Sequence, residues 1–187
     1  MKNKILFLVF LVFIISMVGC KKSTDSWYGK MDNIKYTNEK FGFSMETPKD
    51  WTAQEDIDEA NIDNDGNTNL DNLDECCIFS MAAPSSNEAV KVNEKTLISE
   101  GLNIRAVKTK KSLEGYTNDI YKTELECKIE NKVYDKVIGE KQVKVIENDY
   151  QIYYITESED RTLVFYSCYA NKSKDKVLKS FESLKFY

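Results

Sequence analysis

From residue 104 onward, apolar and polar positions alternate with a period of two over 104–112, 118–130, 134–146, 150–157 and 161–170, the spacing of strands with one buried face. The breaks at Glu114-Gly115, Asn131-Lys132, Asn148-Asp149 and Ser158-Glu159-Asp160 are short and polar, so successive strands are expected to pair antiparallel. In the second run Tyr121, Thr123, Leu125, Cys127 and Ile129 share one face, against Lys122, Glu124, Glu126 and Lys128. Residues 150–155 and 165–169 are apolar on both faces, which predicts central strands covered by helices. Their tyrosines read as core residues with hydroxyls at the rim, in preference to a ligand groove.

Upstream, residues 34–36 and 41–46 read as strands joined by a polar turn, with Phe41, Phe43 and Met45 pointing one way. Pro48 ends the second, since its fixed φ and missing N–H cannot continue a ladder, and Trp51 is expected to cap the core. A strand over 77–83 puts Cys77, Phe79, Met81 and Ala83 on its apolar face, with Cys76, Ile78, Ser80 and Ala82 opposite, and Pro84 stops it. Two helices are predicted. The first opens on a Ser85/Glu88 capping box, carries Val90, Leu97 and Ile98, and ends near Gly101. The second repeats Val177, Leu178, Phe181 and Leu184 at i, i+1, i+4 and i+7. Together these elements predict an α+β fold, a largely antiparallel β-sheet flanked by helices.

The stretch YTNEKFGFSMETPKDW, residues 36–51, has Tyr36, a Gly42-Phe43 strand, then Pro48 and Trp51. It resembles the opening of the PsbP-like superfamily, which takes in DcrB-type envelope lipoproteins. The closing run Val177-Leu178-Lys179-Ser180-Phe181-Glu182-Ser183-Leu184 is similar to that family's terminal helix with its Ser-Phe pair. The resemblance covers residues 34–187 and implies a PsbP-like α/β/α sandwich. It brings no shared catalytic residue, so it informs architecture and leaves activity open.

The first residues address the chain to a membrane. Lys2 and Lys4 form a positive start, residues 5–18 are apolar apart from Ser16, and Met17-Val18-Gly19-Cys20 has the form of a bacterial lipobox. The apolar run is shorter than the about 20 residues a spanning helix needs, so it reads as a cleavable lipoprotein signal peptide over 1–19. Cys20 would then be the lipid attachment residue, its thiol carrying diacylglycerol. Two or three acyl chains, each methylene contributing about 0.8 kcal/mol, hold a protein firmly on a bilayer. Residues 20–33 are expected to be the lipidated tether, with Lys21 and Lys22 beside anionic headgroups. The domain is expected over 34–187, and the protein belongs on the extracytoplasmic face.

Of 187 residues, 168 remain after position 19, enough for one domain. They carry 24 Lys and Arg against 31 Asp and Glu, a balance of −7 that argues against nucleic-acid binding, which needs a clustered basic face. Lys108, Lys110 and Lys111 read as a solvated strand face. Histidine is absent, which excludes Ser-His-Asp and Cys-His catalysis and His-based zinc sites.

Residues 52–77 form an acidic insertion without Lys or Arg. Within it Asn61, Asp63, Asp65 and Asn67 place side-chain oxygens at alternate positions around Gly66, like the first half of a calcium loop, with Asp71 beyond. Thr68 and Asn72 depart from the second half of that motif. A solvated acidic loop and a weak calcium site are therefore both compatible with it. Cys76, Cys77, Cys127 and Cys168 permit two disulfides in an exported protein, and the apolar setting of Cys77 and Cys127 suits buried thiols equally.

Three functions fit these observations. The leading expectation is a non-catalytic binding or assembly accessory held to the membrane through Cys20, acting on a protein partner that the sequence does not identify. The alternative is a calcium-responsive module using residues 61–74. A hydrolase or transferase of the cell envelope would have to work without histidine.

Overall fold

The structure, a computed structural model, describes residues 25–54, 70, 71, 73–84, 90, 91, 97–126 and 130–187. It opens with a one-turn helix α1 (Asp25–Tyr28), followed by strands β1 (Lys30–Asp32), β2 (Lys35–Asn38), β3 (Phe43–Glu46), β4 (Thr52–Ala53) and β5 (Glu75–Ala82). Next come β6 (Val90–Lys91), β7 (Leu97–Ile98), β8 (Gly101–Val107) and helix α2 (Leu113–Glu126). Strands β9 (Lys132–Ile138), β10 (Lys141–Glu147), β11 (Gln151–Ser158) and β12 (Arg161–Cys168) lead to helix α3 (Lys174–Glu182) and β13 (Lys185–Phe186).

Seven strands form one sheet in the order β4-β5-β8-β12-β11-β10-β9, and four form a smaller one, β1-β2-β3-β13. Every pairing in both is antiparallel. The small sheet packs on one face of the large one. Between them lies the main core, where Phe43 meets Phe165 edge-on at 4.9 Å and Tyr36 stacks on Phe79 at 4.2 Å. Helix α3 covers the same face, since Val177 and Phe181 are buried and Phe181 meets Tyr154 edge-on at 4.9 Å. Helix α2 covers the opposite face, over Val107, Ile146, Ile155 and Val164. The expected α+β class, an antiparallel sheet with helices on both sides, is the observed one.

The alternation explains the sidedness. Along β12, Leu163 and Phe165 enter the main core, whereas Val164 and Tyr166 face α2. Gly42, at φ +64°, precedes β3 where an added Cβ would sit 2.8 Å from the Tyr187 carbonyl, so the close approach of β13 requires glycine.

Several expected elements are different in the structure. Residues 118–130, read as a strand, fall largely in α2, because Leu113, Tyr116, Ile120 and Tyr121 supply a helical stripe. The run 134–146 is two strands, β9 and β10, joined at Gly139-Glu140, with Gly139 at φ +60° as the first residue of a tight hairpin turn. The helix expected from Ser85 to Gly101 is replaced, where residues are described, by the β6–β7 pair, Val90 opposite Ile98 and Lys91 opposite Leu97. The β-branched content of this stretch, Val90, Val92, Thr96 and Ile98, favours strand over helix. In β5 the pairing with β8 shifts register between Cys77 and Phe79, so Cys76 and Ile78 enter the core together with Phe79 and Met81. This corrects the expected alternation, which had placed Cys76 and Ile78 on the face opposite Phe79 and Met81.

Residues 25–33, expected within the tether, are part of the domain. Trp27 is 6% exposed and β1 pairs with β2.

Burial holds the Tyr36 and Tyr169 hydroxyls above the ordinary tyrosine range and pushes the Cys76 thiol up to about 11 from its usual 9.0. These groups keep their protons in the folded chain at pH values where the unfolded chain releases them. Their contribution is therefore fully present below about pH 9 and is lost as pH rises through 9 to 11 and beyond. The urea midpoint is expected to be flat from about pH 7 to 8.5 and to fall steadily by about pH 10.5. A midpoint unchanged across that range would contradict the assignment.

Candidate functional site

The α2 face of the large sheet carries the site. Ser112 starts the helix as an N-cap, its Oγ accepting the Gly115 N–H at 3.2 Å. Thr117, 2% exposed, donates its hydroxyl to the Leu113 carbonyl at 2.7 Å, so it needs no partner from the sheet. Tyr116 and Ile120 then lie on the sheet-facing side one turn apart.

Between this helix and the strands is an open cleft of about 320 Å³. Tyr116 and Ile120 line it from α2, Glu75 from β5, Arg105 from β8, Tyr153 from β11, and Val164 and Tyr166 from β12. The register brings them together, with Arg105 opposite both Cys77 and Val164, and Tyr153 opposite Tyr166. The two tyrosine rings stack at 4.4 Å. Arg105 Nη1 donates to Glu75 Oε1 at 2.7 Å, and both side chains are 48% exposed. At that exposure the pair contributes little to stability, and both groups can exchange it for a ligand.

Deeper in the same face, Gln151 Nε2 donates to the Tyr166 hydroxyl at 2.9 Å, and that hydroxyl is also in contact with Cys168 Sγ. Burial, then the neighbouring Cys168, raises the Tyr166 pKa; burial, then Glu75, raises that of Tyr116. Both phenols are thus protonated at neutral pH, hydrogen-bond donors over an aromatic floor. With one guanidinium balanced by one carboxylate, the cleft is electrically neutral overall. Its size is near the lower end of small-molecule sites, about 300–1,000 Å³, and suits a compact ligand or one inserted side chain of a partner.

The residues singled out in the sequence lie elsewhere. Cys20, Asn61, Asp63, Asp65 and Asn67 are outside the described residues. Asp71 is exposed, and its main-chain carbonyl accepts Arg161 Nη2 at 3.1 Å. Among the described residues no three or more His, Cys, Asp or Glu side chains are grouped as metal ligands. Tyr153 and Tyr166 belong to aromatic stretches that the pattern marked. Arg105, Glu75, Tyr116 and Ile120 were not marked, because reading 118–130 as a strand removed the helix that roofs the cleft.

No protein-family model matches the chain, and no curated protein matches it in sequence. Among solved structures it is similar to the solution structure of cyanobacterial PsbP (CyanoP) from Synechocystis sp. PCC 6803, at 12% identity and a TM-score of 0.49, over 85% of this chain and 98% of that one.

Proposed function

We propose that the chain is an extracytoplasmic lipoprotein, anchored through acylated Cys20, whose PsbP-like domain serves as a non-catalytic binding or assembly accessory. The observation that carries this reading is the cleft under α2. Its protonated tyrosines and exchangeable Arg105–Glu75 pair supply recognition groups on an open surface. Stacked rings give area at low entropic cost, and the charged pair gives orientation.

The test uses the full chain in its membrane. A photo-crosslinking phenylalanine derivative at Tyr116 is expected to yield one discrete, reproducible adduct, while the same group at Lys179 on α3 yields none. Adding Arg105→Ala should lower the Tyr116 yield several-fold without changing the melting temperature. Equal yields at Tyr116 and Lys179, or turnover in a hydrolase screen abolished by Tyr166→Phe, would overturn the reading.

A further inference from the structure

We infer that the domain rests on anionic headgroups with the layer that carries α1, so that the α2 cleft faces away from the bilayer. This rests on acylation of Cys20, and chain length is its first support. Only residues 21–24 separate Cys20 from Asp25, the first residue of α1. At no more than about 3.6 Å per residue, that connection reaches roughly 18 Å. A domain of this size has a radius of gyration of about 15 Å, hence a width near 40 Å, more than twice the reach. The surface that meets the headgroups must therefore lie around α1.

Helix α1 is fixed to the fold and cannot extend the connection. Trp27 is buried edge-on to Phe41 at 5.4 Å, and Asn38 Nδ2 donates to the Trp27 carbonyl at 2.8 Å. The Tyr36 hydroxyl donates to the Tyr28 carbonyl at 2.6 Å. Unwinding this turn to gain length would expose Trp27 and break both bonds.

Charge favours anionic lipid at this layer over the rest of the domain. Lys21 and Lys22 of the connection precede the described residues, and from residue 25 to 40 Lys30, Lys35 and Lys40 balance Asp25, Asp32 and Glu39. The remaining residues 41–187 carry 19 Lys and Arg against 28 Asp and Glu, a balance of −9. The exposed Lys40 ammonium lies 4.2 Å over the Trp27 ring, next to the point where the anchor joins. Lys30 and Met31 of β1 are exposed beside it in sequence. A lysine-bearing surface set close to a membrane is drawn to anionic lipid within a Debye length, about 8 Å at physiological salt. The main core, which includes Trp27, and the small sheet lie on one side of the large sheet, and α2 lies on the other. Docking through α1 leaves the cleft on the far side.

Lysine footprinting of the full-length acylated protein tests this, using a membrane-impermeant sulfonated ester on vesicles of phosphatidylcholine with about a quarter phosphatidylglycerol, with Cys20→Ser protein in solution as the reference. Lys30 and Lys40 are expected to react at least about fivefold more slowly on the vesicles, and Lys122 on α2 at an unchanged rate. The mass of the amino-terminal peptide separates the two readings. If Cys20 carries no lipid, the anchored-lipoprotein reading fails and this inference with it. If Cys20 is acylated but Lys40 stays as reactive as Lys122, the orientation alone is wrong. Equal protection on pure phosphatidylcholine would overturn the role of anionic headgroups, and its loss there would support it.

Discussion

Arg161→Ala is expected to destabilise the domain by about 3–5 kcal/mol, out of a total stability of about 5–15. Arg161 is 4% exposed at the start of β12, and its guanidinium clasps three main-chain carbonyls at the end of the acidic stretch. Nη1 donates to the Leu73 carbonyl at 2.7 Å, and Nη2 donates to those of Asp71 at 3.1 Å and Leu70 at 3.2 Å. The cation also lies 5.2 Å from the centre of the Trp27 ring. Each such bond to a charged donor contributes about 1.5–3 kcal/mol net, and the desolvation of the guanidinium offsets part of the sum. Arg161→Lys keeps the charge but loses the planar fork that reaches three acceptors, so it should recover less than half of the loss. Urea unfolding gives the magnitude. Faster cleavage by a glutamate- and aspartate-specific protease at Asp71 and Asp74 would locate the effect. A loss under about 1 kcal/mol for Arg161→Ala would show that the clasp contributes no more than a surface pair.

Tyr36 gives the second large effect, in two separable parts. Its ring, 1% exposed, stacks on Phe79 and lies 5.8 Å from Phe43, while its hydroxyl donates to the Tyr28 carbonyl with the Ile78 carbonyl at 3.1 Å and accepts Asn38 Nδ2 at 3.2 Å. Tyr36→Phe removes the hydroxyl alone and leaves buried carbonyls without that donor, a cost of about 1–3 kcal/mol. Tyr36→Ala also opens a cavity among three elements, adding about 3–5 kcal/mol, enough to unfold a domain of ordinary stability at 37 °C. If Phe and Ala at this position unfold at the same urea concentration, the ring contributes nothing beyond its hydroxyl.

The sequence pattern was most informative where burial is one-sided and local. Phe43 and Met45 on β3, Phe41 in the turn before it, and Val177, Phe181 and Leu184 around α3 are all in the core as their spacing indicates. Tyr36, Phe43 and Trp51, which carry the family resemblance, are buried as well, so that motif records packing. Helix α2 escaped the period-two reading for a physical reason. Tyr121, Thr123 and Leu125 happen to alternate with charges, while Gly115 in the first turn resembles a strand break, although Ser112 caps the helix there. The cleft depends on the docking of this helix against the sheet and on the β5–β8 register, both made by contacts distant in sequence. Arg161 is the other long-range feature. A single arginine in an alternating run reads as an exposed strand terminus, and its three carbonyl partners lie 88 to 91 residues away.

The small sheet has a consequence for how the chain can fold. Its last strand, β13, pairs Phe186 with Phe43, and the Ser183 hydroxyl accepts the Glu46 N–H at 2.7 Å across 137 residues. Phe43 also waits for Phe165. In a chain that emerges amino terminus first, β1 to β3 are made early but their covering layer is made last. Contacts of such sequence separation slow folding, because loop closure precedes any gain from burial. Phe41, Phe43 and Met45 therefore stay uncovered until residues near the carboxyl end have emerged, and a chain truncated before Phe181 is expected to remain a substrate for chaperones and proteases.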